Sequence, residues 1–249
     1  MPLHKTEAVV IHTIKLGEAD KIVTLFTKEL GKVKAVAKGA RRIKSRFGSS
    51  LESFTHINTT LFEKGNYNLL RIRQADIIQP FFHIREDFEK ISYGLYFLEL
   101  IDKFLLERDV NKGTFSFLID TLSHLNNNDE LKRLFVLFGI KFLKLSGYQY
   151  RFDKCISCGD SPLILFFSAY KGGLICDSCA KNNRQGLLPI NKGTAEYLSN
   201  VQKEEAATEE TADAMNEAVE IIKWIFTDII GRPLLTQEFI NLSADRQVR

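Results

Sequence analysis

An α+β chain is what the sequence predicts: a small β-barrel over residues 1–80, then an all-α helical domain over 81–249 with a four-cysteine finger embedded at 151–185. Three observations carry this. Short β-rich runs separated by turn chemistry fill the first 80 residues. After Pro80 the apolar period changes to steps of three and four. All four cysteines fall in one stretch, as two pairs. A chain of 249 residues is long enough for two domains, each burying its own core.

The strands come first. Glu7–Lys15 and Lys21–Thr27 mix β-branched with polar residues, and Leu16-Gly-Glu-Ala-Asp20 between them is turn chemistry. Gly31 ends the second run, and Lys32–Val36 begins a third. Two more runs, Thr55–Phe62 and Asn68–Ile78, are joined by Glu63-Lys-Gly-Asn66. That join is a hairpin sequence, because Gly and Asn tolerate positive φ. Five short strands in this length are the size of an OB-fold, a small Greek-key barrel. By pattern alone an SH3-like barrel fits nearly as well.

Helices follow. Phe88, Ile91, Leu95, Leu98, Ile101 and Leu105 recur as the buried face of an amphipathic helix. A second helix runs through Phe115, Leu118, Leu122 and Leu125, and Asn126-Asn-Asn-Asp129 is a loop. A third runs from Leu131 to Leu145, with Gly147 just past its end. Farther on, Ala212, Met215, Val219, Ile222, Phe226 and Ile229 repeat the same steps, and Gly231 and Pro233 stop them. The acidic run from Glu204 to Glu220 reads as a solvated face.

Between these helices lie Cys155-Ile-Ser-Cys158 and Cys176-Asp-Ser-Cys179, a C-x2-C-x17-C-x2-C array. Two residues between cysteines let one tight turn aim both sulfurs at one ion, and two such turns complete a tetrahedron. Gly159 suits the sharp knuckle. The segments Leu163–Phe167 and Tyr170–Leu174 between the pairs read as a hairpin. Cys155, Cys158, Cys176 and Cys179 are therefore the expected Zn²⁺ ligands. Four thiolates close the coordination sphere, so the metal is structural and activates no water. Residues 151–185 carry five cations and three acids. With the −2 charge of a zinc tetrathiolate the finger is neutral and a poor phosphate binder.

Charge is unevenly spread. Residues 1–80 hold 14 Lys and Arg against 7 Asp and Glu, a net of +7, while the rest of the chain nets −4. Such asymmetry points to a polyanion partner for the first part. It peaks in residues 32–46, where Lys32, Lys34, Lys38, Arg41, Arg42, Lys44 and Arg46 occur with no acid. Gly39, Ser45 and Gly48 make the second half a loop. Cations on a strand and loop can spread along a nucleic-acid backbone, so these seven are the candidate DNA-binding residues. Phe47 beside them reads as a core anchor more than as a stacking platform.

Several classes are excluded. No phosphate-binding G-x-x-x-x-G-K-[ST], no H-E-x-x-H and no G-x-S-x-G is present, and the five histidines share no spacing, so the chain is not expected to be an enzyme. No apolar run approaches the ~20 residues of a membrane span. The Met-Pro-Leu-His-Lys-Thr-Glu start lacks the apolar segment of a signal peptide, and a cytoplasmic protein is expected.

The order of these features, with Gly17–Gly31, then Ala37-Lys-Gly-Ala-Arg-Arg-Ile-Lys-Ser-Arg-Phe-Gly48, then the finger with Gly172-Gly-Leu-Ile-Cys176, resembles the RecO family of bacterial DNA repair proteins. The resemblance implies an N-terminal OB-fold and a helical domain with an embedded zinc finger. It also implies binding to single- and double-stranded DNA and annealing of complementary strands without ATP. The implied partner is RecR, with which the family loads RecA onto strands coated by single-strand-binding protein. The acidic tail of single-strand-binding protein is expected on the helical domain. Arg133, Leu137, Lys141 and Lys144, about one helical turn apart, are the candidate rim for it. An alternative is a zinc-ribbon scaffold for protein contacts with incidental nucleic-acid binding, but a pure scaffold has no need of the N-terminal charge.

Overall fold

The computed structural model describes residues 3–63, 69–161, 164–181, 183–205 and 211–247. Strands β1 (Leu3–Leu16), β2 (Asp20–Thr27), β3 (Gly31–Ala37), β4 (His56–Glu63) and β5 (Leu70–Gln79) come first. Helices α1 (Phe82–Glu86), α2 (Phe88–Phe104), α3 (Lys112–Asn127) and α4 (Leu131–Leu145) follow. Strands β6 (Leu165–Ser168) and β7 (Gly173–Cys176), helix α5 (Asp177–Ala180) and strand β8 (Leu188–Ile190) form the cysteine-bearing region. Helices α6 (Lys192–Lys203), α7 (Ala212–Ile230) and α8 (Gln237–Gln247) complete the chain. The expected hairpin turn at Lys64-Gly65-Asn66 lies outside the described residues, as does Leu163. The chain divides into two compact units, Met1–Asp129 with Thr236–Arg249, and Glu130–Leu235. Among the described residues no helix is long and apolar enough to cross a membrane.

In the first unit the five strands close a barrel in the order β1-β2-β3-β5-β4. This is the OB order, and it decides between the two barrels that the pattern allowed. β1 serves two neighbours: Leu3–Val9 pairs with β4, and Ala8–Leu16 pairs with β2. A bulge between Val10 and His12 bends the strand from one to the other. Closure comes from a parallel pairing of β3 with β5 at Ala35↔Leu70 and Val36↔Arg71. Strand periodicity explains the core: Val33, Ala35 and Ala37 of β3 turn inward with Val23 and Leu25 of β2 and Ile57 and Leu61 of β4. Phe47 and Leu51, from the loop between β3 and β4, plug the same core.

The alternate residues of β3, Lys32 and Lys34 among them, face out of the barrel. Helices cover part of this outer wall. Phe115 of α3 meets Phe26 of β2 edge to face at 5.6 Å. Asp87 caps α2 by accepting from the Lys90 N–H (2.9 Å), and Asn111 caps α3 by accepting from that of Thr114 (2.9 Å). The connector between α2 and α3 runs back along β3, where the Arg108 N–H donates to the Lys32 carbonyl at 2.9 Å. The connector comes so close that a Cβ on Gly31 would fall 2.1 Å from the Asp109 carbonyl oxygen. Gly31 is also at φ +66, so no other residue fits there.

In the second unit α4 and α7 cross closely. A Cβ on Gly139 would lie 2.4 Å from Ile222 Cγ2, and Phe142 packs on Phe226 at 6.1 Å. Strands β7-β6-β8 form a small antiparallel sheet. Its own core is only Phe166, Ile175 and Ala180, with Ile156 and Leu187 packed beside them. Its other side joins an aromatic stack: Phe167 lies 5.5 Å from Phe152 and meets Trp224 of α7 edge-on at 5.8 Å.

Candidate functional site

The first candidate is the cysteine cluster. Cys155 and Cys158 sit on one knuckle, whose Gly159, at φ +85, donates its N–H to the Cys155 carbonyl at 2.9 Å. The β6–β7 hairpin carries Cys176 back beside them, and α5 presents Cys179 one turn later. The four sulfurs all lie within 4.8 Å of one another, with Cys158 and Cys176 at 3.7 Å. Four sulfurs at ~2.3 Å from one ion would be separated by ~3.8 Å, so the donor set fits a tetrahedral metal ion.

Backbone groups point at the sulfurs as well. The Ser157 and Cys176 N–H groups donate to Cys155 Sγ, and the Cys179 N–H donates to Cys176 Sγ, each at 3.4 Å. Burial works to raise the Cys155 thiol, but N–H donors from Cys176, Cys158 and Ser157 outweigh it and bring it down to about 6. Cys158 moves up to about 12: the Asp160 N–H lowers it, while desolvation and the three neighbouring thiols raise it more. A divalent cation among the sulfurs removes that mutual repulsion.

The second candidate is the basic segment, and the structure divides its seven cations. Lys32 is buried, with its ammonium held by the Asp102 carbonyl and, at 3.3 Å, by the Asp102 carboxylate. Lys34 is exposed and pairs with Glu107 at 2.8 Å; each raises or lowers the other's pKa toward the charged form. Lys38, Arg41, Arg42, Lys44 and Arg46 are all exposed and gather on the loop that follows β3.

That loop is anchored at its base. Asp20 accepts from Lys38 and from the Gly39 N–H (2.8 Å), and these bonds, Lys38 first, hold its carboxyl below the usual range. Arg41 donates to the Gly17 carbonyl at 2.7 Å. Arg46 lies over the Phe47 ring at 4.8 Å, while that ring itself is buried in the barrel. Between the loop and the β1–β2 turn opens a groove of about 750 Å³, lined by Leu16, Asp20, Lys38 and Arg42 among others.

Sequence reasoning passed over two cations. Arg71 and Arg73 of β5 stand on either side of Ile72, whose carbonyl accepts from Arg46 at 3.4 Å, and Arg71 pairs with Val36 of β3. The alternation Arg-Ile-Arg on a closing strand was their signal. Arg133, Leu137, Lys141 and Lys144 all fall on the exposed side of α4. Arg133 there pairs with Glu130 at 3.2 Å, and Lys144 approaches Glu204 at 4.0 Å.

Comparison with known proteins adds a further finding. The family model described as "Recombination protein O N terminal" matches residues 1–81, and that described as "Recombination protein O C terminal" matches residues 85–238. A DNA repair protein RecO of Thermoanaerobacter sp. (strain X514) is 36% identical over 199 residues, 80% of this chain and 79% of its own. One from Alkaliphilus metalliredigens is 37% identical over 180 residues, 71% of this chain and 72% of its own. One from Exiguobacterium sp. is 29% identical over 224 residues, 90% of this chain and 88% of its own.

Proposed function

Since the chain belongs to the RecO family, we propose that it is a DNA-binding and strand-annealing protein of recombinational DNA repair. One observation supports this most. Exposed cations gather on the anchored loop after β3, with Arg71 and Arg73 beside them. Arg41, Arg42, Lys44 and Arg46 take phosphates, and Lys34 and Lys38 join them by exchanging Glu107 and Asp20 for phosphates. Lys32, buried on Asp102, ties β3 to α2 instead. The protein acts by binding in the cytoplasm and not as an enzyme. It works with RecR to load RecA onto single strands coated by single-strand-binding protein, whose acidic tail docks along Arg133, Leu137, Lys141 and Lys144. Zn²⁺ held by Cys155, Cys158, Cys176 and Cys179 cross-links the finger and takes no part in chemistry.

The test is DNA binding as a function of salt. With roughly 3–4 phosphates engaged, the slope of log K against log[salt] on single strands is about −2 to −3, from ~0.7 per contact. Reversing Arg41 and Arg42 to Glu weakens binding to every sequence, flattens that slope and slows annealing, while the melting temperature stays within a few degrees. A double variant that binds and anneals like the parent at ~0.15 M salt, where exposed charges are already partly screened, removes this loop from the DNA site.

A further inference from the structure

Ile43 stands at the tip of the basic loop, and of the exposed large apolar side chains among the described residues it is the most exposed, at 105%. Single exposed hydrophobic residues are common on protein surfaces. Two features set this one apart. Its neighbours Arg42 and Lys44 are both exposed; Arg42 lies back over Gly39 in the field of the Asp20 carboxylate, yet among the described residues no carboxylate comes within ion-pair distance of either. The loop around it is also held in shape. The Arg42 N–H donates to the Gly39 carbonyl (3.1 Å), the Ser45 N–H donates to the Arg42 carbonyl (2.9 Å), Arg41 is tied to Gly17, and Phe47 is sunk in the barrel. The side chain is thus presented outward on an ordered turn and not left on a slack one.

The chemistry of the three residues narrows what they meet. A lipid surface takes a broader apolar face than one side chain. A purely apolar protein pocket has no use for an exposed cation on each side. A nucleic-acid strand offers both parts at once: phosphates in a row, and apolar base faces between them. Ile is β-branched and stiff at χ1, so it keeps its shape when pushed between flat surfaces. Apolar side chains that enter between base steps part the stack in this way.

We propose that Ile43 is a wedge that enters between two neighbouring bases of the bound strand, while Arg42 and Lys44 hold the phosphates on either side. This rests on the DNA-binding reading above and adds to it a residue that acts on the bases. The wedge interrupts base stacking without reading sequence, since an aliphatic side chain offers no hydrogen bond.

The experiment uses the full chain and a single-stranded oligonucleotide carrying one 2-aminopurine flanked by adenines, whose fluorescence is quenched by stacking. The parent protein raises the fluorescence on binding, and Ile43→Leu does the same. Ile43→Ser binds with about 5–10-fold lower affinity, from the lost apolar contact, keeps the parent's salt slope because the cations remain, and gives no rise. An equal rise with Ile43→Ser overturns the wedge. A parent protein that binds the strand without any rise overturns the wedge and leaves the DNA-binding reading intact. A parent protein that binds no strand at all overturns both.

Discussion

At His56 a titratable ring is closed in on two sides. Its Nε2 lies 3.1 Å from Glu7 Oε2, its other face meets the Phe115 ring at 6.0 Å, and its side chain is 8% exposed. Lys28 holds the other oxygen of Glu7 at 2.9 Å and, as the largest cause, keeps that carboxyl below its usual value. Burial lowers the His56 pKa, against the pull of Glu7. The unfolded chain therefore takes up a proton at His56 before the folded one does, and stability rises with pH across that interval. The contribution is complete above about pH 6.5, the ordinary histidine value, and is lost as pH falls through the lowered folded value. Thermal melts of His56→Gln should show a flatter pH dependence than the parent as pH falls below about 6.5. Equal slopes would mean that another group sets the acid sensitivity. Single residues also mark where reading the sequence stops. The four cysteines announce themselves by spacing, whereas the hold of Asp102 on Lys32 joins residues 70 positions apart and leaves no local trace.

Among the elements, the cysteine-bearing region is where a metal cross-link could add most, because its four sulfurs already lie together. One side of its three-stranded sheet packs Phe166 on Ile175 and Ala180, and the other joins Phe152 and Trp224 through Phe167, so little of its apolar packing is its own. Metal ligation in such modules contributes ~10–16 kcal/mol in isolated peptides, comparable to the whole stability of a domain. The single Trp of the chain, Trp224, sits edge-on to Phe167 of β6 and so reports on this sheet. Purified protein should carry about one zinc per chain. A strong chelator, or Cys176→Ser, should shift the Trp emission to the red and lower the melting temperature. Well under one zinc per chain, or an emission that chelation leaves unmoved, would remove the metal from the account. Elements differ in how plainly they are written. Runs rich in β-branched residues between turn residues mark β1 to β5, and steps of three and four mark α2, α3, α4 and α7. Helix α6 escapes because two of its buried positions are Thr194 and Ser199, which blur the apolar stripe. Helix α1, five residues long with only Ile84 buried, has no period to read.

At the scale of the whole molecule, the residues from Glu130 to Leu235 interrupt a unit that begins at Met1 and is completed by Thr236 onward. Both ends of the interruption are fastened to α2. Lys90 holds Asp129 at 2.8 Å, and Glu99 accepts from the Thr236 N–H at 2.9 Å and from its hydroxyl at 2.7 Å. Nine residues of helix separate the anchors, roughly 14 Å at ~1.5 Å per residue. About five extended residues cover that distance. Replacing 130–235 with a flexible linker of about eight residues should leave a protein that unfolds cooperatively and binds single strands with the parent's salt slope. A shortened chain without a cooperative melt would show that the barrel unit cannot stand without the excised part.

The clamp on α2 bears on how such a chain can change over generations. Insertions and deletions inside 130–235 leave the two attachment points where they are, so lineages can lengthen, trim or exchange that stretch as a cassette. Changes of length within the strands from β1 to β5 have no such freedom, because every strand there has a fixed partner in a closed ring.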